Sequence, residues 1–215
     1  MTNLVWRKDI LCNIVADTEI IPNRLDIKAE LIANTSQVEE QEVALERLKL
    51  MSDVMFGGAI FVNTENEAIR PLLETLTTNV VFLPDDPYDH LISMLIHLKI
   101  SAILEGRFLV HRFSMTSQVG GGLEYVFDPE VFDFPEIVTD ELLPGVEPWW
   151  SRPDMSTMDL ITEDDKGNKI LHEQDITWEH VGLSWEGVDA LVEKEGKIID
   201  VKKFKPKVID GSDNI

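Results

Sequence analysis

Apolar and polar residues alternate over residues 4–16, with Leu4, Trp6, Ile10, Cys12, Ile14 and Ala16 on one side and the series broken at Lys8. The alternation is cleaner over residues 25–33, where Leu25, Ile27, Ala29, Leu31 and Ala33 oppose Asp26, Lys28, Glu30 and Asn34. A period of two is that of a half-buried strand. Pro22 and Asn23 lie between the two runs and are turn formers, so a hairpin turning there is predicted.

The period then lengthens. Ser36 and Glu39 have the spacing of a capping box, and Leu45, Leu48, Met51 and Met55 follow at helical intervals until Gly57 and Gly58. Residues 59–62 read as a short buried strand. Thr64 and Glu67 make a second capping box ahead of Leu72, Leu73 and Leu76. Pro71 within that stretch predicts a kink or a restart, because an internal proline removes a helix hydrogen bond. Residues 80–83 form another strand, closed by Pro84. Residues 87–104 form the longest helix, with a proline in its first turn, Asp85, Asp86 and Asp89 at its positive end, and Gly106 beyond its last turn. Residues 108–116 and 123–127 then read as strands joined around Gly120, Gly121 and Gly122.

Strand and helix alternate in the middle as they do in parallel sheets, whereas both ends look like antiparallel hairpins. The predicted fold class is therefore α+β, or α/β: a mixed β-sheet with packed helices over residues 1–130. An extended acidic arm rich in proline and aromatics follows over residues 131–215, ending in a short basic segment. Phe132, Phe134, Trp149 and Trp150 distinguish this arm from an ordinary linker, which lacks aromatics. The arm is expected to lie on the core or on a partner. Within it, residues 185–193 predict a short helix, 197–208 a strand and 211–215 a frayed end.

Charge narrows the functional classes. The 215 residues hold 40 acids and 19 bases, a net charge of −21. Phosphate binding runs on lysine and arginine, so direct nucleic-acid binding is not expected, nor is docking on anionic membranes. Residues 128–165 carry much of the acidity, and the lysines of residues 194–207 make a basic end. A single cysteine, Cys12, rules out a disulfide within the chain. The opening residues lack the apolar core of a signal peptide, and the longest apolar stretch, 91–104, is interrupted by His97 and Lys99. A cytoplasmic protein is expected.

Candidate chemistry is sparse. His90, Ser93, His97 and Ser101 recur at intervals of three and four, so they line one stripe of the long helix. That stripe predicts either the solvent face of a mostly buried helix or a polar groove, which His111 on the next strand would complete. Seven residues of helix span about 10.5 Å, while zinc–nitrogen bonds are about 2 Å long, so His90 and His97 cannot share one metal ion. No phosphate-loop, nucleophile-elbow or metal-protease motif is present, and the glycine run is followed by a strand pattern and not by a helix. No cofactor and no metal is predicted, and no catalytic residue is assigned beyond the candidates His90, His97 and His111.

The first functional expectation is a non-catalytic interaction or assembly factor. It would bind a protein partner, or copies of itself, through Trp149, Trp150, Arg152, Phe132 and Phe134, since tryptophan and arginine dominate contact hot spots. The second is an enzyme or ligand-binding protein built on the three histidines. The third is a nucleic-acid mimic from a bacterial virus or mobile element, whose carboxylates would block a host protein.

Overall fold

A computed structural model describes residues 3–73, 79–128, 147–157, 160–163, 169–172 and 177–185. The chain falls into two compact units, Met1–Ser184 and Trp185–Ile215, and the strands and helices of the described residues belong to the first. The predicted mixed sheet is present. Six strands lie in the order β4-β3-β1-β2-β5-β6: β1 (Asn3–Ala16), β2 (Glu19–Ala33), β3 (Ile60–Asn63), β4 (Val80–Leu83), β5 (Phe108–Ser117) and β6 (Glu124–Phe127). β1, β3 and β4 run parallel, and β1, β2, β5 and β6 pair antiparallel.

β1 and β2 are longer than the alternation indicated, and the hairpin turns at Asp17 and Thr18 instead of at Pro22 and Asn23. Asp17 takes a φ of 55°, a left-handed conformation that aspartate tolerates. Pro22 lies within β2, opposite Asn13. The Asn13 N–H points the other way, to the Ala59 carbonyl beside β3, so this pair exchanges no hydrogen bonds. The proline's missing donor therefore faces the side of β2 beyond the end of β5, whose pairing begins at Leu25.

α1 (Val38–Leu50) starts one residue later than a Ser36 cap would have it. Its N-cap is Gln37, and Thr35 holds the approach through bonds to the Gln37 N–H and the Gln41 side chain. The helix runs on into a π-helical turn, Met51–Met55. The second expected capping box is also absent: the Thr64 hydroxyl bonds the Leu83 carbonyl. α2 is a single turn, Arg70–Leu73, so Pro71 falls in a first turn, where no intrahelical N–H is needed. α3 (Asp89–Leu104) ends as predicted, with Glu105 and Gly106 both left-handed.

α1 and α3 cover one face of the sheet, and α3 packs on β5 and β6. Ile10, Cys12, Ile14, Leu25, Ile27, Phe113 and Met115 form the buried side of the strands beneath them. On the opposite face, Val15, Ile60 and Val62 pack with Ile69 and Leu73 in a smaller cluster. No helix among the described residues is long and apolar enough to cross a membrane.

The arm supplies two structured pieces that the sequence pattern did not reveal. Residues 147–157 close the outer edge of β4: Phe82 N–H donates to the Thr157 carbonyl, the Thr157 hydroxyl to Val80, and the Trp149 indole to the Phe82 carbonyl. β7 (Leu160–Glu163) and β8 (Lys169–His172) form a separate antiparallel pair. The expected strand at 197–208 and the frayed end lie outside the described residues, as do Phe132 and Phe134 and all but the first residue of the expected helix at 185–193.

Candidate functional site

α3 opens on a residue that serves two purposes. Asp89 is its first residue, where the helix dipole favours a negative charge. Its side chain is only 9% exposed and accepts a 2.5 Å hydrogen bond from the Ser117 hydroxyl at the end of β5. Ser117 Oγ in turn accepts from the Gly120 N–H at 2.8 Å. A Cβ at Gly120 would fall on Asp89 Oδ2, so any other residue there requires the carboxylate or the loop to move. Asn23, buried in β2, secures the same loop by accepting from the Val119 N–H at 3.1 Å. The glycine run is thus the turn predicted between β5 and β6, and it closes over a carboxylate.

Above Asp89 lies a cleft of about 440 Å³. Ile14, Val15, Ile21 and Val119 form apolar wall, Tyr88 and Tyr125 add aromatic rings, and Asp17, Asp86 and Asp89 bring three carboxylates. No lysine or arginine is among its lining residues. Asp86 is held by the Asn63 amide at 3.1 Å. It lies upstream of α3 with Asp85, so of the three acids expected at the helix start only Asp89 belongs to the first turn. Cys12 is buried nearby, and burial together with the Asp89 charge pushes its thiol up to about 12, which leaves it protonated.

The histidines do not assemble into one groove. His97 is buried between Phe113 and Phe127, with ring centroids 5.3 and 5.8 Å away. Burial pushes its pKa down to about 4, so it is neutral near pH 7. His90 is exposed and rests on Tyr125 and Phe127. His111 is the extra residue of a β-bulge opposite Glu30 and Leu31, and it is exposed. The polar stripe of α3 is divided: Ser93 and His97 are buried against the sheet, His90 and Ser101 are exposed, and the Ser93 and Ser101 hydroxyls donate to the His90 and His97 carbonyls. Among the described residues no three histidine, cysteine or carboxylate side chains are grouped to hold a metal ion.

The tryptophan pair takes up its own chain. Trp149 and Trp150 are 1% and 5% exposed and meet edge to face at 5.6 Å, and Trp149 packs on Phe56. Arg152 is also buried, with its Nε on Ser156 Oγ at 3.2 Å. Three of the five residues expected to meet a partner, Trp149, Trp150 and Arg152, are therefore buried within this chain. Two buried cations hold these residues down. Lys99, wholly buried in α3, donates to the Trp149 and Arg152 carbonyls at 2.8 and 3.0 Å. Arg47 of α1 donates to the Leu183 carbonyl at 2.8 Å and lies under the Trp178 ring, whose N–H reaches the Pro153 carbonyl.

Sequence reasoning missed Asp89, Ser117 and Gly120 as a unit, because they lie on three elements. The visible signal was an acid at a helix start and a glycine run after a strand. No family model matches the chain, and no curated protein sequence matches it.

Proposed function

We propose that this chain is a non-catalytic protein-interaction factor whose cleft at the start of α3 receives a basic side chain of a protein partner. One observation carries the reading: three aspartates and two tyrosines converge on an apolar-walled cleft whose lining includes no cation. An arginine or lysine answers each part of that wall. Its charged head pairs with carboxylates, its planar or ammonium group lies on tyrosine rings, and its methylene stem covers apolar side chains. The net charge of −21 draws a basic partner toward the chain from a distance and repels an acidic one.

The test is a titration with a dye-labelled leucine-rich peptide carrying one arginine, set against the same peptide with glutamine in its place. The arginine peptide is expected to bind more tightly, and added salt to weaken it. Asp17→Asn combined with Asp86→Asn should reduce that affinity at least tenfold, whereas Glu46→Gln on the exposed side of α1 should not. Equal binding of the two peptides, or no loss in the double variant, would remove the reading.

A further inference from the structure

The face of the β1–β2 hairpin turned away from the helices is open to a partner among the described residues. Its side chains fall into four rows set by the strand register: Val5 beside Glu30, Arg7 beside Lys28, Asp9 beside Asp26, and Leu11 beside Arg24. Val5 and Leu11 are 53% and 69% exposed. Three cations meet three anions here, so the patch is neutral on a chain of net charge −21.

The order of the rows is unfavourable for a lone chain. Like charges stand directly opposite one another in both inner rows, which destabilises a sheet. Arg24 relieves Asp9 at 2.5 Å and Glu30 relieves Lys28 at 2.6 Å. Arg7 and Asp26 have no ion pair among the described residues.

We propose that this face is the contact between two copies of the chain, related by a two-fold axis that runs across the strands between the Arg7–Lys28 and Asp9–Asp26 rows. Such an axis inverts the order of the rows. Arg7 and Lys28 then lie over the partner copy's Asp9 and Asp26, Glu30 lies over Arg24, and Val5 meets Leu11. Ser114 and Thr116 of β5, which continue the two inner rows, face each other as well. The one operation that superposes the patch on itself turns each repulsive row into attractive pairs and joins the exposed apolar residues, as an isologous interface requires. Packed sheets keep their strands within about 30° of alignment, so the rows stay in register near the axis. The patch spans only about 20 Å along the strands, which places the contact among small, weak interfaces that need concentrated protein. This contact is separate from the cleft and stands or falls independently of it.

Sedimentation equilibrium of the full chain tests the proposal. At about 0.05 M salt the mass is expected to rise with concentration toward twice 24.4 kDa, and to fall back at about 0.5 M salt, where such pairs are screened. Arg7→Asp and Asp9→Arg, each alone, place like charges across the axis and should stay monomeric. An equimolar mixture of the two should associate again, as should the chain carrying both changes, which also shows that the variants fold. A wild-type chain that stays at 24.4 kDa throughout would overturn the proposal. So would an Arg7→Asp variant that dimerises as well as the wild type.

Discussion

Lys99 donates from Nζ to the Trp149 main-chain carbonyl at 2.8 Å, joining the middle of the longest helix to a point fifty residues further on. A lysine among apolar helix neighbours would ordinarily turn its head to water. Here a loop has been built over it, and the carbonyls of Trp149 and Arg152 and the carboxylate of Asp154 replace the water. The arm is fastened to the core by a cation.

Replacing that cation should cost far more than a surface charge. Lys99→Met keeps most of the volume but leaves buried carbonyls without their donor, a loss of about 3 kcal/mol or more. A urea midpoint well below that of the wild type is expected, together with rapid chymotryptic cleavage near Trp149 and Trp150. A variant as stable and as protected as the wild type would mean the arm is held by its tryptophans alone. Acid should loosen the same fastening. Burial raises the Asp154 pKa, but the Ser156 hydrogen bonds and the charges of Lys99 and Arg152 outweigh it and hold the carboxyl below its ordinary 3.8. Its contribution is complete above that value and is lost as the pH falls through the lower, folded-state one.

His97 sets a second pH dependence at a higher range. Its folded pKa, about 4, lies below the ordinary 6.5. Near pH 7 both states are neutral and the group has no effect. As the pH falls below 6.5 the unfolded chain binds a proton that the folded one refuses, so stability drops until about pH 4, by roughly 3 kcal/mol in all. Urea midpoints for wild type and His97→Gln should converge toward acid, with the variant's slope shallower above about pH 5. Parallel slopes would show that His97 takes up its proton without disturbing the Phe113–Phe127 packing.

Gly120→Ala examines the floor of the cleft. The added methyl group meets Asp89 Oδ2, so either the loop or the carboxylate must move, at a cost of about 1–3 kcal/mol. The Ser117–Asp89 bond should break, and the cleft should lose peptide affinity along with stability. Gly121→Ala, where open space surrounds the new methyl group but φ is 67°, should cost stability alone. If both variants keep full affinity, Asp89 does not need its present position.

Much of the sheet was legible because strands and helices bury side chains with fixed periods. Leu25 to Ala33 alternate in the sequence and alternate in burial. What escaped was set by distant partners. Pro22 reads as a turn residue, yet it sits in a strand because Asn13 turns its N–H toward β3. Ser36 and Thr64 have the spacing of caps, yet Thr35 accepts the Gln37 N–H and the Thr64 hydroxyl donates to the Leu83 carbonyl. His97 reads as polar, but its ring is used as an aromatic packing surface. The cleft was hidden for the same reason. Asp17, Asp89 and Tyr125 belong to a turn, a helix and a strand, and the pairing of β2 with β5 and of β5 with β6 draws those elements together.

The closure of the β4 edge also imposes an order on synthesis. Val80 and Phe82 are made well before Thr157, which caps them from 77 positions downstream in the case of Val80. At roughly 5–20 residues per second, ribosomes take about 4–15 s to bridge that interval. During that time the first six strands can pair while the outer backbone of β4 stands ready to accept any extended chain. The nascent protein therefore passes through a stage in which this border is uncovered, and cells that crowd its polysomes should see misassembly there.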